Sequence, residues 1–327
     1  LLVPTSQMDQ AANLGTGETR DWQISLIPSI SSNGDIAGAV VNHWSLNVFA
    51  GYARGLDGFE LGLLANMERR DVKGAQIAGL ANLVGRDTRG VQIAGVVNHT
   101  LHEMKGVQIA GIANTVWDTL TGVQIAGGVN VVKGGMLGTQ LSGVGNLTTQ
   151  SCDGAQVAGA FNVAVKDVRK TQVAGVLNYG SNVTGAQVAA GLNVVLGEVG
   201  GGQVAGALNI ARQVTGGQVA MGVNFALDTV RGGQLAVLNM ARVVEGGQVG
   251  IVNISDTIIG QSFGIFSFAR RGYHRLDAEY TDVMPLTLSF RTGTRGFHNI
   301  LSWSPQLTPD DGWAFGYGFG SEPKLSK

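Results

Sequence analysis

GVQIAGVVN at residues 90–98 is followed sixteen residues on by GVQIAGIAN at 106–114, and the same Gln, Gly and Asn offsets recur along most of the chain. The glutamines stand at Gln76, Gln92, Gln108, Gln124, Gln140, Gln156, Gln172, Gln187, Gln203, Gln218, Gln234 and Gln248, at steps of 16 with shorter steps of 14 or 15 late. Asparagines follow six residues behind at Asn82, Asn98, Asn114, Asn130, Asn146, Asn162, Asn178, Asn193, Asn209 and Asn224, then five behind at Asn239 and Asn253. A degenerate copy precedes them, with Glu60 in the Gln place and Asn66 in the Asn place. Repetition this regular overrides the two or three ordinary domains that 327 residues would otherwise allow.

Within each copy the pattern has period two, the signature of a strand. Glycine near the centre of every unit would cost a helix about 1 kcal/mol relative to Ala, and the β-branched residues around it favour the pleated state. The residue after each Gln is aliphatic, as at Ile77, Ile93, Ile109, Ile125, Leu141 and Val157, so this face is expected to point inward. Gly79, Gly95, Gly111 and Gly127 fall on the same face and imply close approach of an opposing backbone. A second apolar position, as at Met104, Leu120, Met136, Cys152, Val168 and Val183, gives each unit two short strands. Short strands at a constant step predict an all-β chain: a β-solenoid of about 12–13 coils of roughly 16 residues, each coil bonded to the next about 4.8 Å away, for a rod of roughly 60 Å. Turn residues such as Gly85-Arg86-Asp87 and Lys133-Gly134-Gly135 interrupt the strands, and charges cluster there as a solvated edge requires.

The Gln and Asn columns read as a structural ladder, because identical amides repeated every coil donate to one neighbour and accept from the other. The ladder residues are Gln76, Gln92, Gln108, Gln124, Gln140, Gln156 and Gln172 with Asn82, Asn98, Asn114, Asn130, Asn146, Asn162 and Asn178. The alternative is a flat binding face, in which Gln, Asn and the intervening Ala78, Ala94, Ala110 and Ala126 form an uncharged strip suited to a sugar polymer or another protein's sheet. Such a strip in water invites lateral association and is expected to be covered by a partner or a second protomer.

Residues 1–57 and 261–327 lack the unit and hold every tryptophan except Trp117. DWQISLIPSI (21–30) and NHWSLNVFAGYARG (42–55) alternate apolar and polar residues, as do PLTLSFRTGTRGFHNILSWSP (285–305) and GWAFGYGFGS (312–321). Both flanks read as antiparallel hairpins. The organisation is therefore an N-terminal hairpin or cap segment (1–57), the solenoid repeats (58–260) and a C-terminal β-rich segment (261–327) that either caps the solenoid or belongs to a partial outer-membrane barrel.

A net charge of -1 leaves no basic footprint for nucleic acid. The single cysteine, Cys152, excludes an intrachain disulfide framework. No apolar run reaches the 18 or so residues of a membrane-spanning helix, and Leu1 opens without Met or a charged leader, as expected after a processing site. No GxxxxGK[ST] occurs, and the isolated Asp118, Asp153 and Glu198 do not make calcium turns. His99, His102 and Glu103 offer an HxxH spacing, read as a solvated turn rather than a metal site. Asp277 and Glu279 form an acid pair with nothing converging on it. No clustered carboxylates recur on one face, so no catalytic residue, cofactor or metal is assigned and a non-enzyme is expected.

GVQIAGVVN at 90, GVQIAGIAN at 106 and GAQVAGAFN at 154, with the closing FGIFSFARRGYHRLD at 263–277, resemble the surface-repeat proteins of Bacteroidetes and spirochaetes over about residues 58–270. The resemblance implies export and cell-surface or outer-membrane association, and brings no active-site residues with it. The expected function is that of an extracellular or outer-membrane-associated structural or interaction protein, acting as spacer, adhesin or filament subunit. An outer-membrane β-barrel scaffold or pore is the alternative, and a carbohydrate-active enzyme stands behind it. The expected partners are further copies of the chain or another surface protein, with membrane association through the flanks.

Overall fold

The computed structural model describes residues 3–13, 18–280, 282, 286–306 and 312–322. Leu1, Pro285 and Lys327 lie outside the described residues. Two compact units, Leu1–Gly180 and Ser181–Lys327, each carry parallel coils, and they are taken in turn.

A central coil of the first unit runs through strand Val72–Ala78, a corner at Gly79-Leu80, strand Ala81–Val84 and a turn at Gly85-Arg86-Asp87. The next coil repeats this through Thr88–Ala94 and Val97–Thr100. The pairing is parallel and in register, so that Gln76 lies against Gln92, Gln92 against Gln108 and Asn82 against Asn98. The chain is a β-solenoid. Register is fixed because a slip of one residue would turn every inward side chain outward. Gly106 is held at φ +135°, and a Cβ there would lie 1.9 Å from the Gly90 carbonyl oxygen of the coil below. Gly74, Gly90, Gly122 and Gly138 share this conformation.

The phase of the strands is opposite to the sequence expectation. Inward point Val72, Gln76, Ala78, Asn82 and Val84, each at most 4% exposed. The aliphatic residue after Gln points outward: Leu141 is 44% exposed and its neighbour Ser142 only 6%. Alternation fixes the period but not which phase is inside, and here an in-register stack lets every inward amide find a partner in the adjoining coils. Small Ala78 and its equivalents then let the two sheets close on a thin core. The apolar second position does face inward, with Met104, Leu120, Met136 and Cys152 almost wholly buried. The glycines at Gly79, Gly95 and Gly111 also differ from expectation. They sit at the exposed corner, where a Cβ on Gly95 would meet the Gly79 carbonyl of the preceding coil at 2.1 Å, so the close approach is along the stack and not across the core.

The N-terminal flank is not mainly a hairpin. Glu18–Ile27 pairs parallel with Val40–Asn47, which pairs parallel with Gly55–Gly62, with Gln23, Ser45 and Glu60 continuing the Gln column by register. Only Ser25 and Ile27 make a short antiparallel pairing, with Ser31 and Ile30. A coil needs the two-strand period rather than the full motif, which is why the stack extends beyond the recognisable repeats. A helix, Thr5–Asn13, packs on the 3-10 turn Gly34–Ala39.

In the second unit, Ala186–Ala189, Gly202–Ala205 and Gly217–Ala220 stack parallel through Gln187, Gln203 and Gln218. Three longer strands, Gly233–Val244, Gly247–Ile258 and Gln261–Ala269, then pair parallel with one another, so the stack includes part of the predicted C-terminal flank. A separate antiparallel sheet follows, formed by Tyr273–Glu279, Thr287–Gly293, His298–Ser304 and Ala314–Gly320. Asn299 joins it to the last coil. Its Nδ2 donates to the Gly264 and Ile265 carbonyls at 2.9 Å, and its Oδ1 accepts from the Ser267 N–H at 2.8 Å. Those backbone groups would otherwise be an unpaired strand edge.

Candidate functional site

The recurring Gln and Asn side chains are internal. Gln108 Nε2 donates to Gln92 Oε1 at 2.7 Å, while its own Oε1 accepts from Gln124 Nε2 at 2.8 Å. The same link joins Gln76 to Gln92, Gln124 to Gln140, Gln140 to Gln156 and Gln156 to Gln172. In the second unit it joins Gln187, Gln203, Gln218, Gln234 and Gln248. Each Gln donates toward the N-terminus. The Asn column runs the other way: Asn82 Nδ2 donates to Asn98 Oδ1 at 2.9 Å, and the link repeats through Asn114, Asn130, Asn146, Asn162 and Asn178. The two rows of amide dipoles are opposed, so they oppose rather than reinforce each other along the stack.

Each Asn has a second task. Asn82 Nδ2 also donates to the Ile93 carbonyl at 2.8 Å, Asn98 to Ile109 at 2.7 Å and Asn114 to Ile125 at 2.7 Å. These carbonyls stand just before the corner. Asparagine is short enough to reach them from within the coil and still pair with its neighbour. Because both columns are buried, the flat uncharged strip expected as a binding face for a sugar polymer or a second protomer is not at the surface. The opposing sheet of the same coil covers it.

At the N-terminal side of the first unit the Gln row ends on Glu60, which accepts from Gln76 Nε2 and from Asn47 Nδ2, both at 2.7 Å. A row whose every member donates in one direction needs an acceptor-only terminus, and a carboxylate supplies it. Buried Glu68 shares a hydrogen bond with Glu60. Burial and then the Glu60 charge push the Glu68 carboxyl well above its ordinary value, and burial raises Glu60 against the opposing effect of its hydrogen bonds. Both effects favour the protonated form of Glu68, and a proton held there would have the Glu60 carboxylate as its acceptor.

The outer surface is divided. In the first unit the segments 75–83, 91–99, 107–115, 123–131, 139–147, 155–163 and 171–179 contain no Asp, Glu, Lys or Arg. These segments form the ends of the strands next to the corner, and the corner itself. Leu64, Leu80, Ile112, Val144 and Val176 crown it at 40%, 47%, 58%, 46% and 56% exposure. The second unit has a corner of the same kind on its own coils, with Met221, Val237, Ile251 and Ile265 exposed. The opposite edge holds the charges: Arg86 faces Asp71 at 3.8 Å, Lys105 pairs with Glu103 at 2.8 Å, and Arg169 reaches Asp153 one coil below at 3.3 Å. Lys105 holds the Glu103 carboxyl below its ordinary value, as Arg242 and Arg270 do for Asp228 and Asp256 in the second unit. Exposed pairs of this kind contribute little to stability. The strict absence of charge from those segments was readable in the sequence, and it marks the corner as a surface that water does not require to be polar.

The remaining chemical candidates do not assemble into a site. His99 Nδ1 lies 2.5 Å from Thr115 Oγ1 and its ring meets Trp117 edge-on, while Glu103 is engaged by Lys105. Among the described residues no three His, Cys, Asp or Glu side chains are grouped to hold a metal ion. Asp277 pairs with Arg275 at 2.6 Å and Arg291 at 2.7 Å, and both arginines also reach Glu322. Cys152 is buried, and burial pushes its thiol up to about 12. Among the described residues no helix is long and apolar enough to cross a membrane, which says nothing of strands. No protein-family model, curated protein or solved structure matches this chain.

Proposed function

We propose that this chain is a non-enzymatic structural and interaction protein of a bacterial cell surface or outer membrane, and that it works through the outer face of its coils. The observation that carries this reading is where the recurring side chains go. The Gln and Asn that define the repeat are consumed in buried ladders, so the coils present no repeated reactive group and offer instead a long uncharged aliphatic surface opposite a charged edge. The resemblance of the GxQ[IV]AGxxN units to surface-repeat proteins supports export and an outer-membrane or surface location. Parallel pairing throughout the coils speaks against the barrel or pore reading for residues 40–269, since neighbouring strands of a transmembrane barrel run antiparallel.

Fractionation of cells that produce the chain, followed by electron microscopy of the native material, tests the proposal. It predicts recovery in the outer-membrane or surface fraction as membrane-attached particles or filaments. Recovery as dispersed monomers in the cytoplasmic fraction would refute it.

A further inference from the structure

We infer that the corner of the first unit crowned by Leu64, Leu80, Ile112, Val144 and Val176 is a membrane-insertion edge that enters the acyl-chain region of one lipid leaflet. The inference rests on the membrane-associated form of the function proposed above and names the occupant of the apolar surface.

Backbone chemistry is the first support. A loop or strand edge cannot enter lipid with unpaired N–H and C=O groups. At this corner the amides are paired between coils: Leu80 N–H donates to the Leu64 carbonyl at 2.8 Å, Ile112 to Val96 at 3.0 Å, Val144 to Gly128 at 3.0 Å and Val176 to Ala160 at 2.9 Å. The carbonyls just before the corner receive the second Asn hydrogen bonds described above. The carbonyls of the corner glycines Gly79, Gly95 and Gly111 take no N–H donor, but they point along the stack, the Gly79 oxygen lying 2.1 Å from where a Cβ on Gly95 would stand; the side chains that the corner shows outward are aliphatic.

Shape and charge are the second support. The apolar surface is convex, because it continues from the corner onto the outward residues of both strands, such as Leu141 on one side and Leu147 on the other. A second copy laid against it would cover one side and leave the other in water. Fluid acyl chains cover all sides of such a wedge. A seven-residue strand such as Val72–Ala78 spans about 20 Å at about 3.3 Å per residue. One leaflet contributes about 15 Å of hydrocarbon. The corner can thus be immersed while Lys73, Arg89 and Lys105, at the far ends of their strands, stay in water. Lys133 lies 3.5 Å over the ring of Trp117 at that same charged edge, an aromatic and a cation placed where the headgroups would be.

Flotation of the full chain with vesicles of neutral phosphatidylcholine tests the inference. The wild-type chain is expected to float equally at low and high salt. Combined Leu64→Lys, Leu80→Lys and Ile112→Lys is expected to lower vesicle partitioning at least tenfold, whereas Arg86→Ala with Lys105→Ala leaves it unchanged. Undiminished flotation of the corner variant overturns the inference. A wild type that does not float, but forms dimers or filaments that the corner variant dissolves, also overturns it, makes a second copy the occupant and leaves the structural function standing. A wild type that neither floats nor self-associates overturns both. A single-site measurement covers misfolding of the triple variant: an environment-sensitive dye on Ile112→Cys is expected to shift to the blue with vesicles and to be quenched by a spin-labelled acyl chain. The same dye on Gln150→Cys, at the charged edge, is expected to do neither, and the reverse pattern overturns the inference.

Discussion

Replacing Gln124 by Leu removes one rung from the middle of the Gln row while keeping most of the side-chain volume. Two buried groups then lose their partners: Gln108 Oε1, which had accepted from Gln124, and Gln140 Nε2, which had donated to it. A buried polar group left unpaired costs about 1–3 kcal/mol, so the single substitution is expected to destabilise by about 2–6 kcal/mol. The sharper expectation concerns pairs. Gln108→Leu combined with Gln124→Leu still strands only two groups, Gln92 Oε1 and Gln140 Nε2, and the first keeps the Thr100 hydroxyl at 3.2 Å. The adjacent double variant should therefore be no less stable than Gln124→Leu alone. Gln92→Leu with Gln124→Leu breaks the row twice and should cost nearly the sum of its singles. Urea unfolding of the full chain, followed by circular dichroism, reads these three variants together with the Gln92→Leu and Gln108→Leu singles. Additive losses for the adjacent pair, or a loss under about 1 kcal/mol for Gln124→Leu, would refute the ladder as a chain of satisfied amides.

The Glu60–Glu68 pair makes stability depend on pH. A carboxyl that binds its proton more tightly folded than unfolded contributes stability below the unfolded value, near 4.3, and loses it as pH rises toward the folded value. Relative to Glu68→Gln, which keeps a donor for Glu60 but does not titrate, the wild type is expected to lose up to about 1.4 kcal/mol per pH unit above that point. A difference between the two melting curves that does not change with pH would contradict the assignment of the proton to Glu68. Gly106→Ala places a Cβ 1.9 Å from the Gly90 carbonyl at a φ of +135°, and is expected to destabilise the first unit by about 3 kcal/mol or more; a neutral effect in thermal denaturation would show that the coils are spaced differently.

The period of the fold was legible because an in-register parallel stack repeats its chemistry every coil, so the Gln and Asn offsets report the coil length directly. The phase was not. Assigning Ile77 and Ile93 to the inside assumes that buried amides such as Gln76 and Gln92 are too costly, an assumption that fails when each amide has an identical partner above and below. The sizes of the residues held a clue: Ala78, Ala94 and Ala110 share the Gln phase, and small residues suit a thin interior better than isoleucines do. The lack of any charge on either phase of segments such as 75–83, 91–99 and 107–115 held another, since a water-facing Gln phase would be expected to accept Lys or Glu in some copies. The second task of Asn, holding the carbonyl before the corner, depends on a contact between coils that no local pattern encodes. The parallel stacking of residues 40–62 was hidden because Trp44, Ser45 and Phe59 interrupt the motif without interrupting the strand.

Leu141 and Ser142 are neighbours on opposite phases, which makes them the most direct test of a coil with amides inside and aliphatics outside. Cysteine is introduced at each position in turn, and the detergent-solubilised chain is treated with N-ethylmaleimide, a small reagent that also enters apolar surroundings. Buried Cys152, with its thiol pushed up to about 12, should give little background. The account predicts rapid modification of Leu141→Cys and strong protection of Ser142→Cys; rapid modification of Ser142→Cys with protection of Leu141→Cys would mean that the aliphatic column lies inside and that the inverted coil is wrong.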